Sequence, residues 1–201
     1  MNRYRDLQDE ELIRLYIAGN NSAFSTLVHR HKKRIFTTIM LLVKDRCLAE
    51  DIFQEVFIKI INALKDGHYT DNQRFIAWAA RIAHNCCISH FRKTNVRPAV
   101  ILGYRDEICE MVYYTEQSAE KRMVTEEIQK EVQDMLDQLP AAQREALILR
   151  YYADLSYKEI AQVVNVGINT ALGRVRYALM NLRKMMEQEQ LCQELLPLGG
   201  F

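Results

Sequence analysis

Chain-breakers are scarce in this sequence. Its 201 residues hold seven glycines and three prolines, together about 5% where an average protein has about 12%. Too few turn residues are present for a loop-rich β fold, and the balance favours long helices with short connections. Long apolar runs are also missing. The longest, Ile35 to Val43, has nine residues and contains two threonines, less than half of a membrane span. The opening stretch MNRYRDLQDEE has no apolar core of a secretory signal. Both absences lead us to expect a cytoplasmic protein with no direct membrane insertion. The five cysteines include no C-x-x-C pair, so they read as reduced packing residues of a reducing compartment. A Gly-rich phosphate loop and a carboxylate dyad are absent too. His84, Cys86, Cys87 and His90 do fall on one predicted helix. Cys86 and Cys87 point about 100° apart on it, and no second ligand cluster stands at metal-binding spacing. We therefore expect no metal, no cofactor and no enzymatic activity.

What is present is ordinary in bulk and uneven in detail. Apolar residues make up 49% and charged residues 26%, with 27 Lys and Arg against 26 Asp and Glu. The length suits one ordinary domain or two small ones. Residues 1–93 carry 15 basic and 10 acidic side chains, residues 94–139 carry 5 and 10, and residues 140–201 carry 7 and 6. This points to two helical modules, 1–93 and 124–186, around an acidic linker at 94–123, with a tail at 187–201.

In the front module, Leu12, Ile13, Tyr16 and Ile17 recur at helical spacing over 9–18, and Phe24, Leu27, Val28, Ile35, Ile39 and Leu42 form a second stripe. The Gly19 to Ser22 turn between them offers Asn21 or Ser22 as an N-cap. A third helix, about Glu50 to Leu64, puts Ile52, Phe53, Val56, Phe57, Ile60, Ile61 and Leu64 on one face. Opposite them lie Asp51, Gln54, Glu55, Ile58 and Asn62. That second face is either solvated with a stray isoleucine or a protein-docking surface, acidic groups around one apolar contact. The fourth helix, about Asn72 to Lys93, aligns Arg74, Trp78, Arg81, Asn85 and Arg92 in a stripe roughly 60° wide. Guanidiniums pair with phosphates, an aromatic stacks on an unpaired base and Asn reads a base edge. The alternative is a half-buried tryptophan among ordinary surface arginines.

In the back module, Val124, Ile128, Val132 and Leu136 mark an acidic helix over 124–138, which Leu139-Pro140 ends, and Ala142 to Tyr152 forms another. Ser156-Tyr157-Lys158-Glu159 is a capping box. It opens a short helix with Ile160, Ala161 and Val164 inward. Asn165-Val166-Gly167 is a tight turn, and a longer helix from Ile168 or Asn169 to Met186 follows, with Ala171, Val175, Leu179 and Leu182 inward. The pair reads as a helix-turn-helix, or as a plain helical hairpin. As a helix-turn-helix it would lay its second helix in a DNA major groove, with Asn169, Thr170, Arg174 and Arg176 as exposed polar candidates.

Several of these segments together resemble a bacterial sigma factor of the extracytoplasmic-function group, in the sigma-70 family. Ala49 to Phe57 (AEDIFQEVF) looks like its core-polymerase-binding segment. Phe75 to Asn85 (FIAWAARIAHN) looks like its promoter-melting and −10-recognition segment. Leu139 to Glu145 (LPAAQRE) and Leu155 to Ala161 (LSYKEIA) look like its −35-recognition domain. The resemblance covers about 9–93 and 124–186. It implies an all-α fold of two small domains, the second a helix-turn-helix. It implies that Asp51, Gln54, Glu55 and Ile58 face the clamp helices of core RNA polymerase. It places Arg74, Trp78, Arg81, Asn85, Arg92 and Lys93 near the opened −10 strand of promoter DNA, and Lys158, Asn169, Thr170, Arg174 and Arg176 at the −35 duplex. An anti-sigma factor is an implied further partner. Ser89, Gly167, Leu172 and Gly173 depart from the family's usual acidic, Ser, Lys and Ser residues, which shifts the expected phosphate contacts toward Arg174 and Arg176. A helix-turn-helix regulator or a protein-only helical adaptor are the other classes. The first would not need the Asp51/Glu55 face or the Trp78 stripe, and the second would not bind DNA.

Overall fold

The computed structural model describes residues 4–69, 74–94, 132 and 134–188. The fold is all-α. Four helices, α1 (Asp9–Ile17), α2 (Asn21–Val43), α3 (Arg46–Lys65) and α4 (Phe75–Thr94), make the front module. A helical stretch at 134–138 leads into α5 (Ala141–Tyr151), α6 (Tyr157–Val163) and α7 (Ile168–Gln188) of the back module. The linker expectation beyond Thr94 and the tail expectation beyond Gln188 lie outside the described residues.

Local chemistry sets the helix starts. The Asn20 side chain accepts from the Ser22 and Ala23 amides, so the α2 cap stands one residue before the two expected candidates. An N-cap oxygen reaches the second and third helical amides, and Asn20 is the residue with extended backbone at that offset. Asp45 caps α3 through the Leu48 amide and starts it at Arg46, earlier than the Glu50 read from periodicity alone. The α6 capping box is present as expected. Glu159 N–H donates to Ser156 Oγ at 3.3 Å, and Ser156 N–H donates to Glu159 Oε2 at 2.6 Å. Ser156→Ala is expected to lower stability by about 1 kcal/mol, read as a shifted urea midpoint with unchanged slope. Asn165 holds a positive φ of 53° in the turn before α7, as its short polar side chain allows.

Leu12, Leu27, Ile39, Ile60, Leu64 and Phe75 fill the front core. Leu139, Leu149, Leu155, Ile160, Ala171, Val175 and Ala178 belong to the back core, and Ala77 and Ala80 of α4 belong to it as well. Helix α4 therefore lies between the two modules and serves both. Two apolar residues expected inward point elsewhere. Ile17 is 59% exposed and Leu179 is 42% exposed. On α7 the inward positions step by four, three and four through Ala171, Val175, Ala178 and Leu182, so Leu179 falls about 40° beyond Val175, past the edge of that face.

Candidate nucleic-acid and protein interfaces

Helix α3 presents the mixed face that its period implies. Asp51, Gln54 and Glu55 are exposed, and Ile58 is 59% exposed among them. Lys59 lies one turn from Glu55 at 2.6 Å, and its hydrogen bond holds the Glu55 carboxyl below the usual range. The face is thus anionic at neutral pH, with an apolar side chain that none of the described residues covers. Behind it, burial raises the Cys86 thiol and pushes the Cys87 thiol up to about 12. Both therefore stay protonated and inert. Among the described residues no three His, Cys, Asp or Glu side chains gather at a metal-binding distance.

The α4 stripe is divided. Arg92, Lys93 and Asn85 stand exposed near its C-terminal half. Trp78 is half-buried, edge-on to Tyr69 with ring centroids 5.0 Å apart and tilted against Phe75 at 6.0 Å. One side of its indole is packed while the ring stays at the surface. Arg74 sits just before the helix, its carbonyl accepting from the Ala77 and Trp78 amides. Its guanidinium is engaged by the back module. Nη2 donates to Glu159 Oε2 at 2.6 Å and to the Asp154 carbonyl at 3.0 Å, and Nε donates to Glu159 Oε1 at 3.3 Å. Arg81 Nη2 donates to Gln162 Oε1 at 2.7 Å. One turn on, buried His84 pairs with Glu145 at 2.7 Å. Burial alone would raise the Glu159 carboxyl, but hydrogen bonds from Arg74 and Ser156 outweigh it and hold the group below its usual range.

More contacts cross the same seam. Lys44 pairs with Asp137, and Asp154 lies 3.7 Å from Arg34 and 3.9 Å from Arg74. Arg81 Nε and His84 Nδ1 are buried at this seam with no hydrogen-bond partner among the described residues. None of Glu145, Asp154, Glu159 or Gln162 was singled out as an interface residue from sequence. Their partners lie 61 to 85 residues away along the chain, and local periodicity carries no signal for such pairings.

Helix α7 begins at the end of the α6 turn with Asn169 and Thr170 exposed, Arg174 half-buried and Arg176 exposed. Lys158 projects into solvent from α6. Ile168 and Leu172, 51% and 43% exposed, flank these polar groups in the first two turns. The sequence reading placed Ile168 at the helix start and Leu172 among the departures from the family pattern, and counted neither among the exposed polar candidates.

Two family descriptions match this arrangement in order. Residues 27–97 match Sigma-70 region 2, and residues 129–186 match Sigma-70, region 4. The chain is 31% identical over 184 residues to the RNA polymerase sigma-H factor of Pseudomonas aeruginosa, covering 90% of this chain and 94% of that protein. It belongs to the extracytoplasmic-function group of the sigma-70 family. The ECF RNA polymerase sigma factor SigW of Bacillus subtilis is 28% identical over 174 residues, 84% of this chain and 91% of that one. Among solved structures, CnrH in complex with the cytosolic domain of CnrY matches with a TM-score of 0.61 at 21% identity, covering 90% of this chain and 97% of that chain. This sigma factor therefore works with core RNA polymerase to direct transcription initiation to promoters. Its family consists of initiation factors, not enzymes. No helix of the described residues is long and apolar enough to cross a membrane.

Proposed function

We propose that the chain divides promoter recognition between its modules along the boundaries 1–93, 94–123, 124–186 and 187–201. Asp51, Gln54, Glu55 and Ile58 of α3 dock on the clamp helices of core polymerase. The stripe Arg74, Trp78, Arg81, Asn85, Arg92 and Lys93 receives the opened −10 strand. Lys158, Asn169, Thr170, Arg174 and Arg176 hold the −35 duplex. The observation that supports this most is the exposed α3 face, where Asp51, Gln54 and Glu55 share one side of the helix with an isoleucine that is 59% exposed. Such a face suits a basic helical partner. The polymerase performs the chemistry, in the cytoplasm. Trapping unpaired bases on α4 draws the promoter from closed to open, because the ligand prefers one of two states. An anti-sigma protein is a further proposed partner.

The test is reconstitution. Purified chain with sigma-free core polymerase is expected to co-elute and to start transcripts from a subset of a promoter library. Failure of both removes the reading. At finer scale, Arg174→Ala is expected to weaken upstream duplex binding across sequences and to lower the salt-dependence slope by about 1. An unchanged slope of log affinity against log salt would dismiss that phosphate contact.

A further inference from the structure

Between helices α2 and α5 lies a cleft of about 440 Å³ whose lining belongs to none of the surfaces assigned above. Its size falls within the range of small-ligand sites. One wall is α2, where Arg30, Lys33, Arg34 and Thr37 recur at steps of three, one and three and so share a face. The other wall is Tyr151 and Tyr152 at the end of α5. Among the described residues that line it, none is acidic. Each module supplies one wall, so neither holds the site alone.

The lining side chains are placed for different tasks. Arg30 is structural. Its Nη1 donates to Asp9 Oδ1 at 2.5 Å, and its Nη2 donates to the Leu7 and Arg5 carbonyls at 2.8 and 3.0 Å. Asp9 also pairs with buried His31, another lining residue, at 2.7 Å. These bonds fix one end of the cleft. Arg34 is held less firmly. Its guanidinium stands 3.7 Å from Asp154 Oδ2, too far for a hydrogen bond, and both side chains reach well into solvent. The planar fork suits an oxyanion that offers two acceptors. Lys33 is exposed beside it and adds a second positive charge. Across the cleft Tyr151 is 59% exposed, a large aromatic ring at the surface with a face for stacking.

We infer that this cleft binds a nucleoside polyphosphate, its phosphates on Arg34 and Lys33 and its base against Tyr151. Inorganic phosphate would use the cations alone, and an uncharged aromatic would use the tyrosine alone. Both features across one cleft select a ligand that is anionic at one end and flat at the other. Asp154 competes with it, because its carboxylate must yield Arg34 to the phosphates. Asp154→Asn removes that charge with little disturbance. Asn also tolerates the φ of 57° found there, and it is the Asp154 carbonyl that accepts the hydrogen bond from Arg74. The site depends on none of the assignments made for α3, α4 and α7.

The test is fluorescence anisotropy of mant-ATP and mant-GTP with the full chain at low salt. Saturable binding of at least one is expected. Arg34→Ala is expected to weaken it about tenfold, and Tyr151→Ala about fivefold. Asp154→Asn is expected to tighten it about threefold, a gain that misfolding does not produce. Lys184→Ala removes an exposed lysine of α7 outside the cleft and should change nothing. No saturable binding of either nucleotide overturns the site. Equal losses in Lys184→Ala and Arg34→Ala overturn it too, since the attraction is then diffuse charge. Inorganic triphosphate that displaces the probe as well as ATP does overturns the ligand class. Oligo(dT) that displaces the probe at lower concentration than ATP gives the cleft to a DNA strand and overturns the proposal.

Discussion

Replacing Asp51 and Glu55 together by lysine is expected to weaken binding to core RNA polymerase about 100-fold, close to 2.7 kcal/mol. The size follows from the geometry of α3. Both carboxylates are exposed on one face, Lys59 holds Glu55 ionised, and Ile58, one turn beyond Glu55 on the same face, is 59% exposed. Reversing two charges turns attraction into repulsion at a surface meant for a basic partner, and such repulsion falls more heavily on affinity than loss of one contact. The fold should survive. A lysine at position 55 would face Lys59 one turn away, a like-charge pair worth only a few tenths of a kcal/mol on a helix surface. Neither carboxylate belongs to the core. The measurement is competition binding to core polymerase beside a far-ultraviolet dichroism spectrum. Unchanged affinity with unchanged helix content removes the docking face.

Trp78→Ala carries the second large effect. Stacking on a single unpaired base contributes about 1–3 kcal/mol, so promoter opening is expected to fall by about 5- to 150-fold while upstream duplex binding changes little. The complication is packing. The indole touches Tyr69 and Phe75, so its removal also loosens the front core, where Phe75 is 1% exposed. Trp78→Phe separates the two roles. It keeps a flat ring against Tyr69 and a π-face for a base, and should retain most of the opening activity that alanine loses. Opening is read by permanganate reactivity of promoter thymines, and duplex binding by mobility shift on a −35 fragment. Equal losses in the two assays would make Trp78 a packing residue only.

Helical periodicity and capping chemistry are local, and this chain shows how far they reach. The α3 face was legible because a 3.6-residue period separates Ile52, Val56 and Ile60 from Asp51, Glu55 and Ile58 without reference to any other element. The start of α6 and the turn into α7 were legible because a Ser-x-x-Glu capping box and an Asn in left-handed geometry are chemical signals within a few residues. The same reading misplaced Leu179, since the boundary of a buried face is drawn by the neighbour that covers it. The α2 cap was missed by one residue because the choice among Asn20, Asn21 and Ser22 depends on where the backbone bends out of extended geometry.

By itself the sequence determined the helices, their order, the polar and apolar faces, and two modules of unlike charge. It also held the segments by which the chain resembles sigma factors. Only the tertiary structure decided that α4 is shared by both cores, with Ala77 and Ala80 inside the back one. Only it decided that Arg74 meets Glu159, 85 residues away, and that His84 is buried against Glu145. An arginine on a helix surface has the same local pattern whether its partner is a phosphate, water or a carboxylate of another module. Its occupant is set by which surfaces the packing of the apolar faces brings within about 3 Å.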